Sequence, residues 1–307
     1  MKAIQIKEYG EPGVLVLREV PDPVAGEGEI VASIHAASVN PTDWKTRAGL
    51  RAGPSLLPWI PGCEFSGTVS ALGPGVTDFA VGDAVFGVPP QGGGGTYAEA
   101  IAIDAGLVAP KPDSLSHVEA AALALVGLTA LVSLEDSAKL KAGETILIQG
   151  GAGGVGGFAV QCAKHAGATV YATTSTRNID YVRGLGADGV IDYTADDFTK
   201  AAPPCDVVFD TVGGAVQERS FSVLKPGGRL VWIARGTEGA PPPPAHIEMI
   251  RPRVERDRQH LERIIELVGL GAVTVPEITE FPLAQVARAH EMSATGHVRG
   301  KIVLNVQ

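Results

Sequence analysis

The 307-residue sequence has little cysteine and no excess of positive charge, and each shortage argues against a class of protein. Its three cysteines, Cys63, Cys162 and Cys205, are odd in number and far apart, which disfavours a secreted disulfide framework and favours reduced thiols in a cytosol-like compartment. Lys and Arg total 25 against 34 Asp and Glu, a formal net charge of −9. That sign disfavours nucleic acids and anionic lipid surfaces as partners.

A long hydrophobic segment is also missing. The first seven residues lack the apolar core of a signal peptide. The longest apolar run, from Ala120 to Leu134, is shorter than the roughly 18 residues that span a membrane. We therefore expect a cytoplasmic protein with no membrane partner.

Glycine is abundant, with 39 residues. Near Ser116 the sequence pattern changes from short strand-type runs to a helical pattern. Before that point, short β-type runs separated by Gly and Pro predict an antiparallel barrel or sandwich. The predicted strands cover residues 29–36, 67–72, 83–86 and 97–103. Ser116, with Glu119 three residues later, then has the pattern of a capping box that opens a helix extending to Leu134.

From Thr145 onward, strand patterns alternate with helical patterns. The predicted strands cover residues 145–148, 169–173, 190–191, 206–209 and 229–234, and the predicted helices 154–165, 178–185 and 217–224. This alternation predicts an α/β domain, a doubly wound parallel sheet with helices on both faces. Pro241 to Pro244 is interpreted as a stiff connector, 261–267 as an amphipathic helix, and 300–304 as a strand that could return to the first domain.

A glycine-rich loop lies between the strand at 145–148 and the helix that begins at Gly154. Gly151, Gly153 and Gly156 form G-x-G-x-x-G, the spacing typical of a dinucleotide-binding turn. The first glycine permits a tight turn, the second lets the backbone approach a pyrophosphate, and the third lets helix and strand pack closely. Gly92 to Gly95 opens onto a strand pattern instead and is interpreted as a hairpin or mobile loop.

The segment after the next strand indicates which dinucleotide is bound. A unit that prefers NADH carries an acid there for the ribose 2′-hydroxyl, but this chain has Thr174-Ser175-Thr176-Arg177. Hydroxyl groups and a guanidinium suit a 2′-phosphate, which a carboxylate would repel. The residues therefore favour NADPH, with an ordinary polar loop as the alternative.

Several short motifs follow one another along nearly the whole chain. They lie at 38–43, 61–67, 81–85, 127–130, in the glycine loop, at 209–214 and at 299–304. In this combination they resemble the medium-chain dehydrogenase/reductases, and within them the zinc-free quinone oxidoreductase branch that includes zeta-crystallin. The resemblance implies a GroES-like β-barrel catalytic domain over 1–122 and 271–307, a Rossmann NADPH-binding domain over 123–270, the substrate in the cleft, and a homodimer.

The resemblance also implies roles for individual residues. Asn40 and Asp43 would line the active cleft near the nicotinamide, and Thr129 would contact the cofactor. Gly153, Gly154, Val155 and Gly156 would hold the pyrophosphate, while Ser175, Arg177 and Tyr193 would surround the 2′-phosphate. From the residues alone, Asn40 could instead cap a turn. Asp43 could be a structural partner of a cation or a proton donor, and Tyr193 could be a ring packed at a strand end.

The zinc alcohol dehydrogenases of this superfamily hold their catalytic metal with a Cys and a His where this sequence has Asn40 and Cys63. One thiol and an amide make a poor zinc site, because zinc prefers three ligands of the Cys, His or carboxylate kind. The four-cysteine structural lobe is absent after Val88 as well. We therefore expect no metal and interpret Cys63 as a small packed residue.

Without a metal, the chemistry left to the protein is hydride delivery from NADPH to a quinone or an activated α,β-unsaturated carbonyl. Related enoyl reductases use a tyrosine as proton donor in the stretch that matches Gly49 to Leu57, and its absence here favours quinones or a proton from water. A short-chain dehydrogenase is disfavoured because no tyrosine has a lysine four residues later. An NADPH-binding redox sensor or structural protein with little turnover is the alternative.

Overall fold

A computed structural model describes residues 1–50, 57–240 and 242–307, which form two compact units. The first unit comprises Met1–Leu125, Arg256–Glu266 and Val275–Gln307, and the second comprises Val126–Glu255 and Leu267–Thr274. The stretch from Gly49 to Leu57, where the sequence lacks a tyrosine, lies largely outside the described residues, and so does Pro241 of the proline connector.

The strands, numbered along the chain, are β1 (Lys2–Gln5), β2 (Val16–Glu19), β3 (Glu29–Val39), β4 (Phe65–Leu72), β5 (Ala84–Gly87), β6 (Ala100–Asp104), β7 (Val108–Pro110), β8 (Thr145–Gln149), β9 (Thr169–Thr174), β10 (Gly189–Asp192), β11 (Cys205–Asp210), β12 (Leu224–Trp232), β13 (Glu248–Ile250), β14 (Ile278–Pro282) and β15 (Lys301–Asn305). The helices are α1 (Pro41–Arg47), α2 (His117–Leu131), α3 (Gly154–His165), α4 (Ile179–Gly184), α5 (Phe198–Ala201), α6 (Ala215–Ser220), α7 (Arg258–Gly269) and α8 (Val286–Ala294). Together they confirm the α/β class.

The first unit is built on a sheet whose described strands follow the order β14-β15-β3-β4-β5-β7, with β6 also paired to β3. The pairs are antiparallel except for β14 and β15, which are parallel. In the β15–β3 pair, Ile302 lies opposite Val39. This pairing confirms that the C-terminal strand returns to the first domain.

The second unit contains a sheet in the order β10-β9-β8-β11-β12-β13, and every pair among these described strands is parallel. Ile146, Leu147 and Ile148 of β8 are fully buried, as expected for a parallel strand covered on both faces. The chain order reverses between β8 and β11, the place where doubly wound folds bind their ligands. The prediction of a Rossmann-type sheet is confirmed.

Strand β12 begins earlier than predicted. The sequence predicts a helix over 217–224 stopped by Pro226-Gly227-Gly228, whereas α6 ends at Ser220 and β12 starts at Leu224. The pairing with β11 changes register, from Cys205 opposite Leu224 to Val207 opposite Arg229, so the Pro-Gly-Gly segment bulges out of the ladder. Gly227 adopts a φ of 79°, which permits the bulge.

The sequence predicts that residues 256–266 belong to the second domain, but their contacts place them in the first unit. The guanidinium of Arg258 donates hydrogen bonds to the carbonyl oxygens of Ala105 (2.7 Å) and Val108 (3.1 Å) and pairs with Asp78. It also lies 4.7 Å from the centre of the Phe79 ring. A local sequence pattern does not reveal contacts between residues this far apart.

The helical segment near the middle of the chain extends beyond the apolar run from Ala120 to Leu134 at both ends. Residues His117–Ser137 form a helical segment of 21 residues, and its most apolar 18-residue window has a mean hydropathy of 1.8. By length and composition alone, the segment could cross a membrane. Within the protein, 78% of its most apolar part is buried, as in a core helix. The absence of a membrane partner, expected from the shorter apolar run, stays a prediction.

Candidate functional site

The glycine loop of the second unit connects β8 to α3 at the carboxyl edge of the parallel sheet. Gly153 is the N-cap residue of α3 and has no side chain with which to cap the helix. The first backbone N–H groups of α3, at Gly154, Val155 and Gly156, have no partner inside the helix by geometry. They provide donors for an anion, and a pyrophosphate suits them.

The three predicted glycines differ in what they allow. A Cβ at Gly156 would lie 2.2 Å from the carbonyl oxygen of Gly150, so only glycine lets α3 pack against the turn. A Cβ at Gly153 would meet the same oxygen at an ordinary 3.6 Å, which leaves that side of the loop open to a ligand. The left-handed residue of the turn is Gly150, with a φ of 80°. Gly151, to which the tight turn was assigned, instead packs against Ala172 of β9.

Polar residues on β9 and just after β11 fix the shape of this loop. The hydroxyl of Thr173 donates to the side-chain oxygen of Gln149 (2.7 Å) and accepts from the N–H of Gly150 (3.1 Å). The hydroxyl of Thr211 donates to the carbonyl oxygen of Gln149 (2.7 Å). The sequence analysis missed these positioning residues, because a glycine fingerprint does not include the groups that hold it.

The residues predicted to surround a 2′-phosphate follow two adjacent strands. Ser175 and Arg177 come after β9, and Tyr193 comes after β10, where its N–H donates to the carbonyl oxygen of Thr174 (3.0 Å). Arg177 is exposed, and Tyr193 is 49% exposed, so Tyr193 is not the packed ring of the alternative interpretation. Parallel strands bring these three residues to one edge of the sheet.

An acidic residue that the sequence analysis did not consider lies at the same edge. Asp192 accepts hydrogen bonds from the hydroxyl of Thr176 (2.5 Å) and from the N–H (2.9 Å) and hydroxyl (2.6 Å) of Thr194. These bonds, the one from Thr176 first, lower the pKa of the Asp192 carboxyl. Asp192 therefore ties the turn that carries Arg177 to the end of β10.

Thr129, the remaining predicted cofactor contact, lies on the part of α2 that belongs to the second unit. It is 9% exposed, and its carbonyl oxygen accepts a hydrogen bond from the hydroxyl of Ser133 (2.6 Å). Its contact with a cofactor stays a prediction.

In the first unit, Asn40 and Asp43 lie at the start of α1. Asn40 is the N-cap residue, and its N–H donates to the carboxylate of Asp43 (2.8 Å), a reciprocal arrangement typical of a capping box. Asn40 is 6% exposed and Asp43 is fully buried. Asn40 therefore occupies the N-cap position, where the Asp43 side chain accepts from its backbone, and the Asn40 side chain has a separate set of partners.

The amide group of Asn40 belongs to a buried network with Glu64 and Lys301. Its nitrogen donates to Glu64 Oε1 (2.7 Å), and its oxygen accepts from Lys301 Nζ (2.8 Å). Lys301 also pairs with Glu64 (2.7 Å), and both side chains are almost completely buried. The N–H of Leu125 donates to the second Glu64 oxygen (2.5 Å). Three distant segments therefore fix the orientation of the Asn40 amide.

Asp43 is the acceptor of a second buried network. Its carboxylate accepts hydrogen bonds from the Cys63 thiol (3.0 Å) and the Tyr97 hydroxyl (3.0 Å), and the ring of His290 lies 3.4 Å from that hydroxyl. Burial raises the pKa of Asp43 to about 6, against the lowering effect of these donors. Asp43 has no exposed surface, and its donors among the described residues are neutral groups. Its predicted place in the active cleft stays a prediction.

The residues that replace the zinc ligands do not fit a zinc ion. Both polar atoms of the Asn40 side chain are engaged by Glu64 and Lys301. The Cys63 thiol donates a hydrogen bond to Asp43 (3.0 Å), and burial, followed by that carboxylate, raises its pKa well above the usual range. Within residues 1–50, 57–240 and 242–307, no group of three or more His, Cys, Asp or Glu side chains could hold a metal.

Two family models match the chain. Residues 26–113 match the alcohol dehydrogenase GroES-like domain, and residues 185–304 match the model described as zinc-binding dehydrogenase. The first lies in the first unit, where the mainly antiparallel sheet was predicted as a GroES-like barrel.

Curated relatives and solved structures match over almost the whole chain. The chain is 37% identical to the 2-methylene-furan-3-one reductase of Solanum lycopersicum and 35% identical to the NADPH-dependent alkenal/one oxidoreductase of Arabidopsis thaliana, in each case over 99% of this chain and 79% of the relative. The structure of the quinone oxidoreductase from Coxiella burnetii superposes with a TM-score of 0.91 at 36% identity, covering 100% of this chain and 99% of that one. The chain therefore belongs to the medium-chain dehydrogenase/reductase superfamily, in its zinc-free quinone oxidoreductase branch.

Proposed function

We propose that the protein is an NADPH-dependent reductase that transfers hydride to quinones or activated enones without a metal. The observation that carries this proposal is the edge of the parallel sheet in the second unit. There the open backbone of the Gly150 to Gly156 loop lies at the carboxyl end of β8, and Ser175, Arg177 and Tyr193 follow the two neighbouring strands. The names of the similar proteins, which include NADPH-dependent alkenal/one and quinone oxidoreductases, support the same substrate classes.

NADPH, when bound, supplies the hydride. The backbone N–H groups of Gly154, Val155 and Gly156 bind the pyrophosphate, and the hydroxyl groups of Thr173 and Thr211 hold the preceding turn in shape. Arg177 and its neighbours at the sheet edge meet the 2′-phosphate and select NADPH over NADH.

The first unit is the proposed site of the acceptor. Asn40 is held by Glu64 and Lys301, so its orientation is set before any substrate arrives. Asp43 acts as a positioning residue that fixes Cys63 and Tyr97, because it is fully buried. Water completes the reduction by supplying a proton.

Turnover with a panel of acceptors tests the proposal. NADPH oxidation is followed with an ortho-quinone, a para-quinone, an α,β-unsaturated ketone and a simple aldehyde, and each assay is repeated with NADH. We expect fast turnover of quinone or enone with NADPH and little turnover of the aldehyde. Tight NADPH binding without turnover of any acceptor would contradict the proposal and favour a redox sensor.

We also propose that the protein is a cytoplasmic homodimer with no nucleic-acid or membrane partner. The net charge of −9 supports the absence of anionic partners, and the three buried free cysteines are in keeping with a reducing compartment. Light scattering on the purified protein tests the dimer, for which a single species of one chain's mass, 31.6 kDa, would be the contrary result.

A further inference from the structure

Arg256 is a cation of the first unit that sequence reasoning did not single out. Its guanidinium donates a hydrogen bond to the carbonyl oxygen of Pro89, just beyond the end of β5. In the antiparallel β4–β5 pair, Phe65 lies opposite Gly87. Pro89 lies two residues beyond Gly87, and Cys63 lies two residues before Phe65, so both follow the same end of this strand pair. Arg256 is therefore held near the end of the pair at which Cys63 lies, the position where zinc-dependent relatives keep a metal ligand.

The charges around Arg256 support this placement. Burial lowers the pKa of its guanidinium, and electrostatic interactions with Cys63, Glu64 and Asp43 oppose that change. Glu64 already pairs directly with Lys301. Within the described part of the chain, Arg256 itself forms no ion pair, and the only acceptor of its hydrogen bonds is the neutral carbonyl of Pro89.

Arg256 has further N–H groups besides the one that contacts Pro89. Buried guanidinium nitrogens without a partner occur at Arg18, Arg47 and Arg229, but Arg256 has none among the described residues. The residue as a whole is half-buried. A half-buried guanidinium with further donors can form two parallel hydrogen bonds to an oxygen-bearing ligand.

The proposed reaction develops a negative charge that a cation can stabilise. When hydride adds to an enone or a quinone, negative charge develops on the carbonyl oxygen of the acceptor. A metal ion would stabilise that charge. At the metal-ligand positions of this chain, however, the Asn40 amide donates to Glu64 and the Cys63 thiol donates to Asp43. Neither residue is a cation.

We propose that Arg256 binds the carbonyl oxygen of the acceptor and stabilises the negative charge that develops there, which makes it a catalytic residue. This inference rests on the proposed function. The C4–H bond of NADPH breaks and its electron pair forms the new C–H bond, so NADPH becomes NADP⁺. The π electrons of the acceptor move to the oxygen that Arg256 holds, and water then supplies the proton and leaves as hydroxide.

Removal of the guanidinium tests the assignment. We expect Arg256→Met to lower kcat/KM for the best acceptor by about 10²-fold, as loss of one oxyanion donor does in other enzymes. Arg256→Lys, which keeps the charge, retains more activity than Arg256→Met. Arg253→Met is the matched control, because Arg253 is an exposed arginine in the same segment, and its kcat/KM should stay within about twofold of wild type.

A second readout does not depend on how much of the variant folds. Pentafluorophenolate mimics an anionic oxygen on a ring, and pentafluoroanisole is its neutral counterpart. We expect wild type to bind the phenolate more tightly than the anisole, and Arg256→Met to lose that preference by about tenfold, a free-energy difference of ~1.4 kcal/mol. Because both probes are measured on the same sample, an inactive fraction cancels from the ratio.

The two experiments distinguish a wrong assignment of Arg256 from a wrong proposed function. If wild type reduces quinones or enones while Arg256→Met keeps both its kcat/KM and its preference for the phenolate, the assignment of Arg256 is overturned and the proposed function stands. If wild type reduces no acceptor, the proposed function is overturned. In that case loss of the phenolate preference in Arg256→Met would still support Arg256 as the oxyanion donor of this unit.

Discussion

The two units present their polar groups in opposite ways. In the second unit, the loop from Gly150 to Gly156 offers backbone N–H groups and carries no charged side chain. In the first unit, the polar side chains around Asn40 are buried and satisfy one another, and Glu64 and Lys301 form an ion pair. A backbone site is therefore sensitive to the addition of a single carbon, whereas a buried side-chain network is sensitive to the removal of one partner.

The largest effect that this comparison predicts is at Lys301. In Lys301→Met, the buried carboxylate of Glu64 loses its ion-pair partner, and the free energy of unfolding should fall by about 3–5 kcal/mol. Urea unfolding measures this loss of free energy of unfolding. Lys7→Met, at an exposed lysine of the same unit, is the control. A double variant, Glu64→Gln with Lys301→Met, should recover part of the lost stability. A loss below about 1 kcal/mol in Lys301→Met alone would contradict the buried network.

The second prediction concerns the glycine loop. Gly156→Ala places a Cβ against the carbonyl oxygen of Gly150, which should cost about 1–3 kcal/mol of stability and weaken NADPH binding. Gly153→Ala leaves the unbound fold intact and weakens NADPH binding alone, since its Cβ meets only an ordinary contact. Gly184→Ala on α4 is the control, because no atom lies within 4 Å of the added carbon. Equal NADPH affinity in all three variants would refute the loop as the pyrophosphate site.

The third prediction uses the buried side chain of His290. Burial, and then the nearby Arg47, lowers its pKa from 6.5 to about 3, so only the unfolded chain binds a proton in that interval. Its contribution to stability is therefore present above pH 6.5 and is lost as the pH falls toward 3. Asp43, with a pKa raised from 3.8 to about 6, acts in the opposite direction: its protonation adds stability as the pH falls through that window.

The variant His290→Gln isolates the contribution of the imidazole. Between pH 6.5 and pH 5, the wild-type free energy of unfolding should decrease by about 1–2 kcal/mol more than that of the variant. Chemical unfolding at a series of pH values measures the two slopes. Parallel curves for wild type and variant would contradict the assignment.

The smallest predicted effect is a change of cofactor preference. Arg177→Asp replaces an exposed cation with an anion beside the predicted 2′-phosphate, so NADPH affinity should fall by about tenfold or more, roughly 1.4 kcal/mol, relative to NADH. Titration of each cofactor by intrinsic fluorescence or calorimetry gives the ratio. Equal losses for NADPH and NADH would show that Arg177 does not meet the phosphate.

The sequence predicted the second unit well because its signals are local. A strand, a G-x-G-x-x-G turn and a helix are contiguous, and parallel pairing then brings Ser175 and Tyr193 to one edge. The exact left-handed residue was missed, since Gly150 and Gly151 are adjacent and both are glycine. In a run of glycines, spacing alone does not identify which residue makes the turn.

The first unit was less predictable, because its partners are far apart in the chain. Asn40 was identified, but its acceptor Glu64 lies 24 residues away and its donor Lys301 lies 261 residues away. Both appeared in the sequence analysis only inside motifs and had no assigned role. Arg256 was missed for the same reason, since its contact with Pro89 spans 167 residues.

The central claim is that a zinc-free protein performs the reduction, and one measurement tests it most directly. Metal content and NADPH-dependent turnover of a quinone and an enone are determined on the same sample before and after treatment with a chelator. We predict far less than one zinc per chain and no change in turnover. Turnover that disappears with the chelator and returns on addition of zinc, with one zinc bound per chain, would contradict the account.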